Sequence, residues 1–228
     1  MPREGGGDGG ARFPATWWGD YALVDVVGDI ALPGNYAAHA GDVSELTQLL
    51  EYWQDRNIAG LISIGSAQEF GARSGIISDE DEPIGGVSAY GWGKRAAGLL
   101  AKSWAIRTGI PTVWLRPFIA YGPGQTGSMV VPYAVRQIVT GEDAQFSSGA
   151  QKRDFVYVDD VVEAFYAAAT RLPEGFTMVN LGCGEAVVVR ELLEYLGRLF
   201  DAGSRLHFGS IPLRPGEPDI QVADTRVA

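Results

Sequence analysis

The chain has 228 residues, enough for one large domain or two small ones. Its 18 Lys and Arg against 28 Asp and Glu leave a net charge of -10, which argues against a nucleic-acid protein but leaves room for a small anion held by a few arginines. The 46% hydrophobic and 20% charged residues suit a globular protein with a core; no apolar run nears the roughly 20 residues of a membrane span, and the single Cys183 excludes an internal disulfide or a multi-cysteine metal site.

Residues 1–14 read as a flexible Gly-rich head. The run Gly5-Gly6-Gly7-Asp8-Gly9-Gly10 follows no strand and opens no helix, so it is not a dinucleotide loop. No apolar h-region precedes it, so no secretory signal is read and a cytoplasmic location is expected. Tyr21–Val27 reads as a buried strand. Val43–Trp53 has helical spacing, with Val43, Leu46, Leu49, Leu50 and Trp53 on one face and Ser44 and Thr47 near the start as caps. Ala59–Ile64 is a second short strand, and Gly91–Arg107 a long Ala-rich helix with Leu99, Leu100 and Trp104 inward. Thr112–Leu115 reads as a strand, and Val130–Val139 as a helix that Pro132 restricts to a late start. An extended piece at Phe155–Val158, a helix at Val161–Thr170, a strand at Met178–Leu181 and an amphipathic helix at Arg190–Phe200 complete the pattern. Strands alternating with helical crossovers predict an α/β fold: a parallel sheet with helices on both faces.

Tyr90-Gly91-Trp92-Gly93-Lys94 opens the long helix. Tyr and Lys four residues apart share a helix face. A nearby ammonium favours the phenolate and lowers the tyrosine pKa from its usual ~10. That makes Tyr90 a usable acid and base near neutral pH. Ser66 follows the strand Ala59–Ile64 directly, at the carboxyl end where open α/β sheets place their ligand chemistry. Its hydroxyl can reach a substrate oxygen beside Tyr90. Taken singly, the Tyr–Lys pair also fits a solvated helix face and Ser66 a turn serine. His39 and His207 stand alone, so no metal site is expected. Cys183, between two glycines, reads as a small buried residue.

Together the segments GSAQEFG, SAYGWGK, LRPFIAYGPGQ, QKRDFVYVDD, VNLGCGE and RPGEP, in this order, resemble the extended short-chain dehydrogenases/reductases. These are NAD(P)-dependent nucleotide-sugar epimerases, dehydratases and ketoreductases, and the resemblance covers roughly residues 20–228. It implies a Rossmann-like sheet and a Ser66–Tyr90–Lys94 triad. Tyr90 would exchange a proton with a sugar oxygen, Lys94 would bind the nicotinamide ribose and tune Tyr90, and Ser66 would orient the substrate. Arg116-Pro117-Phe118 resembles the segment that packs near nicotinamide, although Ile119 stands where many relatives have Asn. By the same resemblance Tyr121, in a Tyr-Gly-Pro-Gly turn, would shape the sugar cleft with Ser66 and Gln68. Arg153 and Arg214 resemble the arginines that hold the nucleotide diphosphate; read singly, each fits an ion pair, for instance with Asp154 or Glu217.

Dehydratases of this family carry an adjacent Asp-Glu pair after the catalytic hydroxyl. Ala67 and Gln68 stand there and supply neither acid nor base. Glu69, one place further on, faces the other way by strand alternation. Hydride chemistry at a sugar carbon remains. LPGNYAAH and EFGARSGIISDED resemble ketoreductases of the CDP-abequose synthase type, so reduction of an NDP-4-keto-6-deoxyhexose is expected, in deoxysugar biosynthesis. A 4-epimerase is the alternative, and a non-catalytic remnant acting as a binding module is a third reading.

The GxxGxxG fingerprint of the family is absent, and Gly28–Gly34 lacks its spacing. Tyr21–Val27 aligns with the family's fourth strand, so about three strand–helix units are expected to be missing. That predicts an exposed strand edge and weak NAD(P)H binding by these residues alone. On this reading residues 15–125 and 153–182 form the partial cofactor domain, and 126–152 with 183–228 a partial nucleotide-sugar domain. A homodimer through the helix bearing Tyr90 and Lys94 is also implied.

Overall fold

The computed structural model describes residues 15–18, 21–24, 36–83, 88–125 and 129–226. The Gly-rich head, the Gly28–Gly34 run and the end of the expected Tyr21–Val27 strand lie outside the described residues.

Strands β1 (Ala15–Trp18) and β2 (Tyr21–Val24) open the chain. Helix α1 (Tyr36–Trp53), β3 (Gly60–Ile64), β4 (Gly75–Ile77), helix α2 (Ala89–Thr108), β5 (Thr112–Pro117) and β6 (Ile119–Tyr121) follow. Then come α3 (Val130–Thr140), β7 (Ala144–Phe146), β8 (Lys152–Arg153), β9 (Phe155–Tyr157), α4 (Val158–Thr170) and β10 (Phe176–Leu181). The last elements are β11 (Val187–Val188), α5 (Val189–Leu199), β12 (Leu206–Phe208) and β13 (Ile220–Ala223).

The main sheet has the order β1-β2-β3-β5-β10. β2, β3, β5 and β10 run parallel, and β1 pairs antiparallel with β2. Alternation along the strands assigns each side chain to a layer. Leu61 and Trp114 pack with Leu46, Leu49, Leu50 and Trp53 of α1 and Ala97, Ala101 and Trp104 of α2. Their neighbours Ile62, Val113 and Leu115 pack on the opposite face with Val161 and Phe165 of α4. Both faces are covered, which explains the unbroken apolar runs of the parallel strands and bears out the expected fold class.

Helix α2 lies close on the sheet because its inner face is small. A Cβ on Gly98 would stand only 3.1 Å from the Trp114 indole. Leu99 and Leu100, expected inward, are exposed instead; alanines and Gly98 take the inner positions. The buried Trp104 indole donates to Leu50 O at 2.8 Å, which removes the cost of burying its N–H. α1 begins seven residues before the apolar stripe suggests, so Ser44 and Thr47 are interior rather than caps. Thr47 Oγ1 bonds back to Val43 O at 2.8 Å. Pro132 sits in the first turn of α3, where a missing N–H costs nothing, so the helix starts at Val130. The edge of β2, expected to be open, is paired with β1.

A second sheet, β11-β8-β13-β4, and a second core of α3, α5, β7 and β12 complete the fold. The junction is Asp154, which is fully buried. Its carboxylate accepts from the N–H groups of Cys183 (2.7 Å), Gly184 (2.9 Å) and Ala223 (3.1 Å), tying the end of β10 to β13. Cys183 is exposed, not buried, although its backbone N–H is tied to Asp154; its Sγ reaches Phe155 O at 3.1 Å. Among the described residues, no helix is long and apolar enough to cross a membrane.

Candidate active site

The site is built at the carboxyl end of β3. After Ile64 the chain passes through Gly65 into a single 3₁₀ turn, Ala67–Phe70, capped by Ser66. The Ser66 backbone is extended (φ -161°, ψ 146°), and its Oγ accepts from Gln68 N at 3.2 Å. One lone pair is used, and the hydroxyl proton is free to donate outward. In return, Glu69 folds back to complete a capping box: its Oε1 accepts from Ser66 N at 2.9 Å. The same oxygen accepts from Trp114 Nε1 at 2.9 Å. Ser66-Ala67-Gln68-Glu69 fits the capping-box pattern, a signal legible in the sequence, although strand alternation pointed Glu69 elsewhere.

Helix α2 brings the second part. Ser88 caps it, accepting from Gly91 N at 3.1 Å. The Ser88 hydroxyl donates to Gln68 Oε1 at 3.0 Å, so the start of α2 is tied to the Ser66 turn. Tyr90 and Lys94, one turn apart, are buried, with the ammonium 5.9 Å from the Tyr90 ring centre. Lys94 Nζ donates to Ile64 O at 3.0 Å, the last residue of β3. His39 of α1 meets Tyr90 edge-on, ring centres 5.6 Å apart, and Gly93 leaves room for it: a Cβ there would lie 2.9 Å from His39 Cβ. Ser66, Gln68, Tyr90 and Lys94 are therefore gathered at one strand end.

Beneath them lies a charged layer. Glu69 is fully buried, and burial raises its pKa, opposed by bonds from Trp114 and Ser66 and by the charges of Arg116 and Lys94. Arg116 is also fully buried. Its Nη2 donates to Asp79 O at 2.8 Å and its guanidinium stacks 4.6 Å from the Phe70 ring centre. Burial lowers its pKa, countered by Glu69 and Asp79; burial likewise raises the pKa of Asp79. Asp79 accepts from Asn180 N of β10. The Arg116 side chain thus points into the body of the protein. Phe118 packs with Ala67, Phe70, Ile77 and Ala223.

The remaining predicted residues, Tyr121, Arg153 and Arg214, lie on other elements. Tyr121 is half-buried, edge-on to Phe155 and Tyr157. Arg153 is buried and pairs with Glu217 at 2.9 Å, so the segments QKRDF and RPGEP meet. Burial lowers the Arg153 pKa, opposed by Glu217. Arg214 is exposed on the same loop, its carbonyl accepting from Glu217 N at 3.1 Å.

A buried Tyr–Lys pair beside a capped serine at a parallel strand end invites comparison. The NAD dependent epimerase/dehydratase family matches residues 30–182. The chain belongs to this family. It is 28% identical to the uncharacterized UDP-glucose epimerase YtcB of Bacillus subtilis (strain 168), over 83% of this chain and 58% of that protein. It is 30% identical to the CDP-abequose synthase of Salmonella muenchen, over 42% of this chain and 33% of that one. Among solved structures, MoeE5 in complex with UDP-glucose and NAD superposes with a TM-score of 0.80 at 28% identity, covering 90% of this chain and 70% of MoeE5. The matched stretch thus spans less than two thirds of each of the two curated relatives.

The family is NAD-dependent. The described residues fit the ribose and nicotinamide end of that cofactor: a buried ammonium and a buried phenol stand side by side at the carboxyl end of a parallel sheet. Lys94 and Tyr90 would hold it there. The segment between β2 and α1 lies outside the described residues.

Proposed function

We propose that this protein performs NAD(P)-dependent hydride and proton transfer at C4 of a nucleotide-diphosphate sugar, as the reductase of an NDP-4-keto-6-deoxyhexose. The observation that carries this reading is the buried Tyr90–Lys94 pair at the strand end that also bears Ser66. When bound, the cofactor supplies the hydride. Tyr90 gives the proton to O4 as the ketone becomes a hydroxyl, and the Lys94 ammonium favours the phenolate left behind. The Ser66 hydroxyl, its lone pair engaged by Gln68 N, donates to the same oxygen and fixes its position. Elimination is disfavoured, since Ala67 carries no acid and Gln68 Oε1 is engaged by Ser88.

Arg153 of β8, paired with Glu217, and Arg214 of the Glu217 loop supply the positive charge for the diphosphate, and Gln68 and Tyr121 shape the sugar pocket. Arg116-Pro117-Phe118 contributes backbone near the nicotinamide, since the Arg116 side chain is turned inward. Residues 15–125 and 153–182 serve the cofactor, and 126–152 with 183–228 the sugar. Trp92, Leu99 and Ile106, exposed at seven-residue intervals along α2, support pairing with a second copy. A cytoplasmic location completes the reading.

A 4-epimerase is the second reading. It is favoured by two relatives that match over four fifths of this chain and carry epimerase names, the Bacillus subtilis protein above and the Lactobacillus helveticus UDP-glucose 4-epimerase, the latter at 25% identity over 82% of this chain. Net consumption of NADPH with an NDP-4-keto-6-deoxyhexose is the result expected of the reductase. Interconversion of C4 epimers with no net consumption would replace it by the epimerase. No turnover of either kind at saturating cofactor and sugar would overturn both.

A further inference from the structure

We infer that Glu69 is a positioning residue, whose buried carboxylate holds the Ser66 main chain so that its hydroxyl faces the reacting sugar oxygen. This rests on the reading of Ser66 as the hydroxyl that orients the sugar.

Three observations carry the inference. First, one carboxylate oxygen accepts both the Ser66 N–H and the Trp114 indole N–H, each at 2.9 Å. The indole belongs to β5, an interior strand of the main sheet, and is fully buried. The Ser66 turn is thereby fixed to a buried sheet residue instead of resting on its own 3₁₀ turn, which is too short to be stable alone. Second, the sequence leaves room for this contact. A Cβ on Gly65 would collide with both the Glu69 carboxylate and the Trp114 indole nitrogen, so the glycine at this position lets the two groups meet under the backbone. Third, burying a carboxylate here is costly, and it is offset by two buried N–H donors that an apolar side chain would leave unpaired. The groups facing it are Lys94 from α2 and Arg116 from β5, both positively charged. Both favour the charged form of the carboxylate that accepts from Ser66 N.

The test uses the full chain and two readouts. The first is a proton NMR titration following the Ser66 amide and the Trp114 indole N–H. Both are expected to move together with one midpoint above the usual glutamate range, and to lose that titration in Glu69→Gln. Independent midpoints, or none, would overturn the shared anchor. The second is turnover in a double-mutant cycle. Ser66→Ala is expected to lower kcat by about 10²-fold, the scale of losing one aimed hydrogen-bond donor. Glu69→Val should cost most of that factor in the wild-type background and less than about twofold in Ser66→Ala. Equal losses in both backgrounds would show a general structural effect and overturn the inference. Should Glu69→Val fail to fold, Glu69→Gln keeps an acceptor oxygen and is expected to retain kcat within about threefold; a fall to the Ser66→Ala level would also overturn it. If wild type and Ser66→Ala turn over equally, the proposed function fails, and the titration alone decides whether the anchor stands.

Discussion

Replacing Asp154 by alanine offers a strong test of how the fold joins its two sheets. The carboxylate is fully buried and accepts three backbone N–H groups, from Cys183, Gly184 and Ala223. The Ala223 bond is buried and the other two are partly so. A buried donor left without a partner costs about 1–3 kcal/mol, while a partly solvated one costs nearer 0.5–1.5 kcal/mol. The three together come to about 2–6 kcal/mol. Packing adds little, since Gly182 lies against the carboxylate and the gap is small. For a chain of this size each kcal/mol shifts Tm by about 2–4 °C, so the expected fall is on the order of 5–20 °C. Asp154→Asn keeps one acceptor and turns an amide N–H toward the other donors, so its loss should fall between wild type and Asp154→Ala. Urea unfolding gives the free energies and a scan the Tm. A Tm within about 2 °C of wild type for Asp154→Ala would refute the view that this residue joins β8, β10 and β13.

Gly65→Ala should lower stability by more than about 1 kcal/mol, because its methyl has to displace either the Glu69 carboxylate or the Trp114 indole; thermal melts report it. Burial raises the Glu69 pKa, so the folded chain holds more protons than the unfolded one above the unfolded glutamate pKa of about 4.3. Stability relative to Glu69→Gln should therefore fall as pH rises through that window and level off above the folded pKa. Urea midpoints at pH 5 to 8 check this, and a gain in wild-type stability over that range would contradict it. Arg153→Ala should weaken binding of a nucleoside-diphosphate sugar at least tenfold by calorimetry, with an unchanged affinity removing Arg153 from the proposed diphosphate site.

Much of the fold can be read from the sequence because the parallel strands are short apolar runs between helical stripes. Leu61 and Ile62 facing opposite layers show why such runs need no alternation. What the sequence hides follows from tertiary packing. Leu99 and Leu100 look like core residues, yet the close approach of α2 to Trp114 favours alanine and glycine inside. The strands of the second sheet are two to four residues long, too short to carry a period, and are specified by non-local groups such as Asp154. At the site, Tyr90, Lys94 and Ser66 are legible from motif order, and the structure brings them to one strand end. The partners of Glu69 and Gln68 are not, since Trp114 is 45 residues away from one and Ser88 20 from the other.

The central claim is that Tyr90 transfers the proton at a sugar carbon. Turnover of an NDP-4-keto-6-deoxyhexose with NADPH, wild type against Tyr90→Phe, tests it most directly. The hydroxyl is the only group removed, and loss of an acid–base group costs about 10²–10⁴-fold. The account predicts a fall of that size with the nucleotide-sugar affinity kept within about threefold. A Tyr90→Phe variant turning over at the wild-type rate would contradict it.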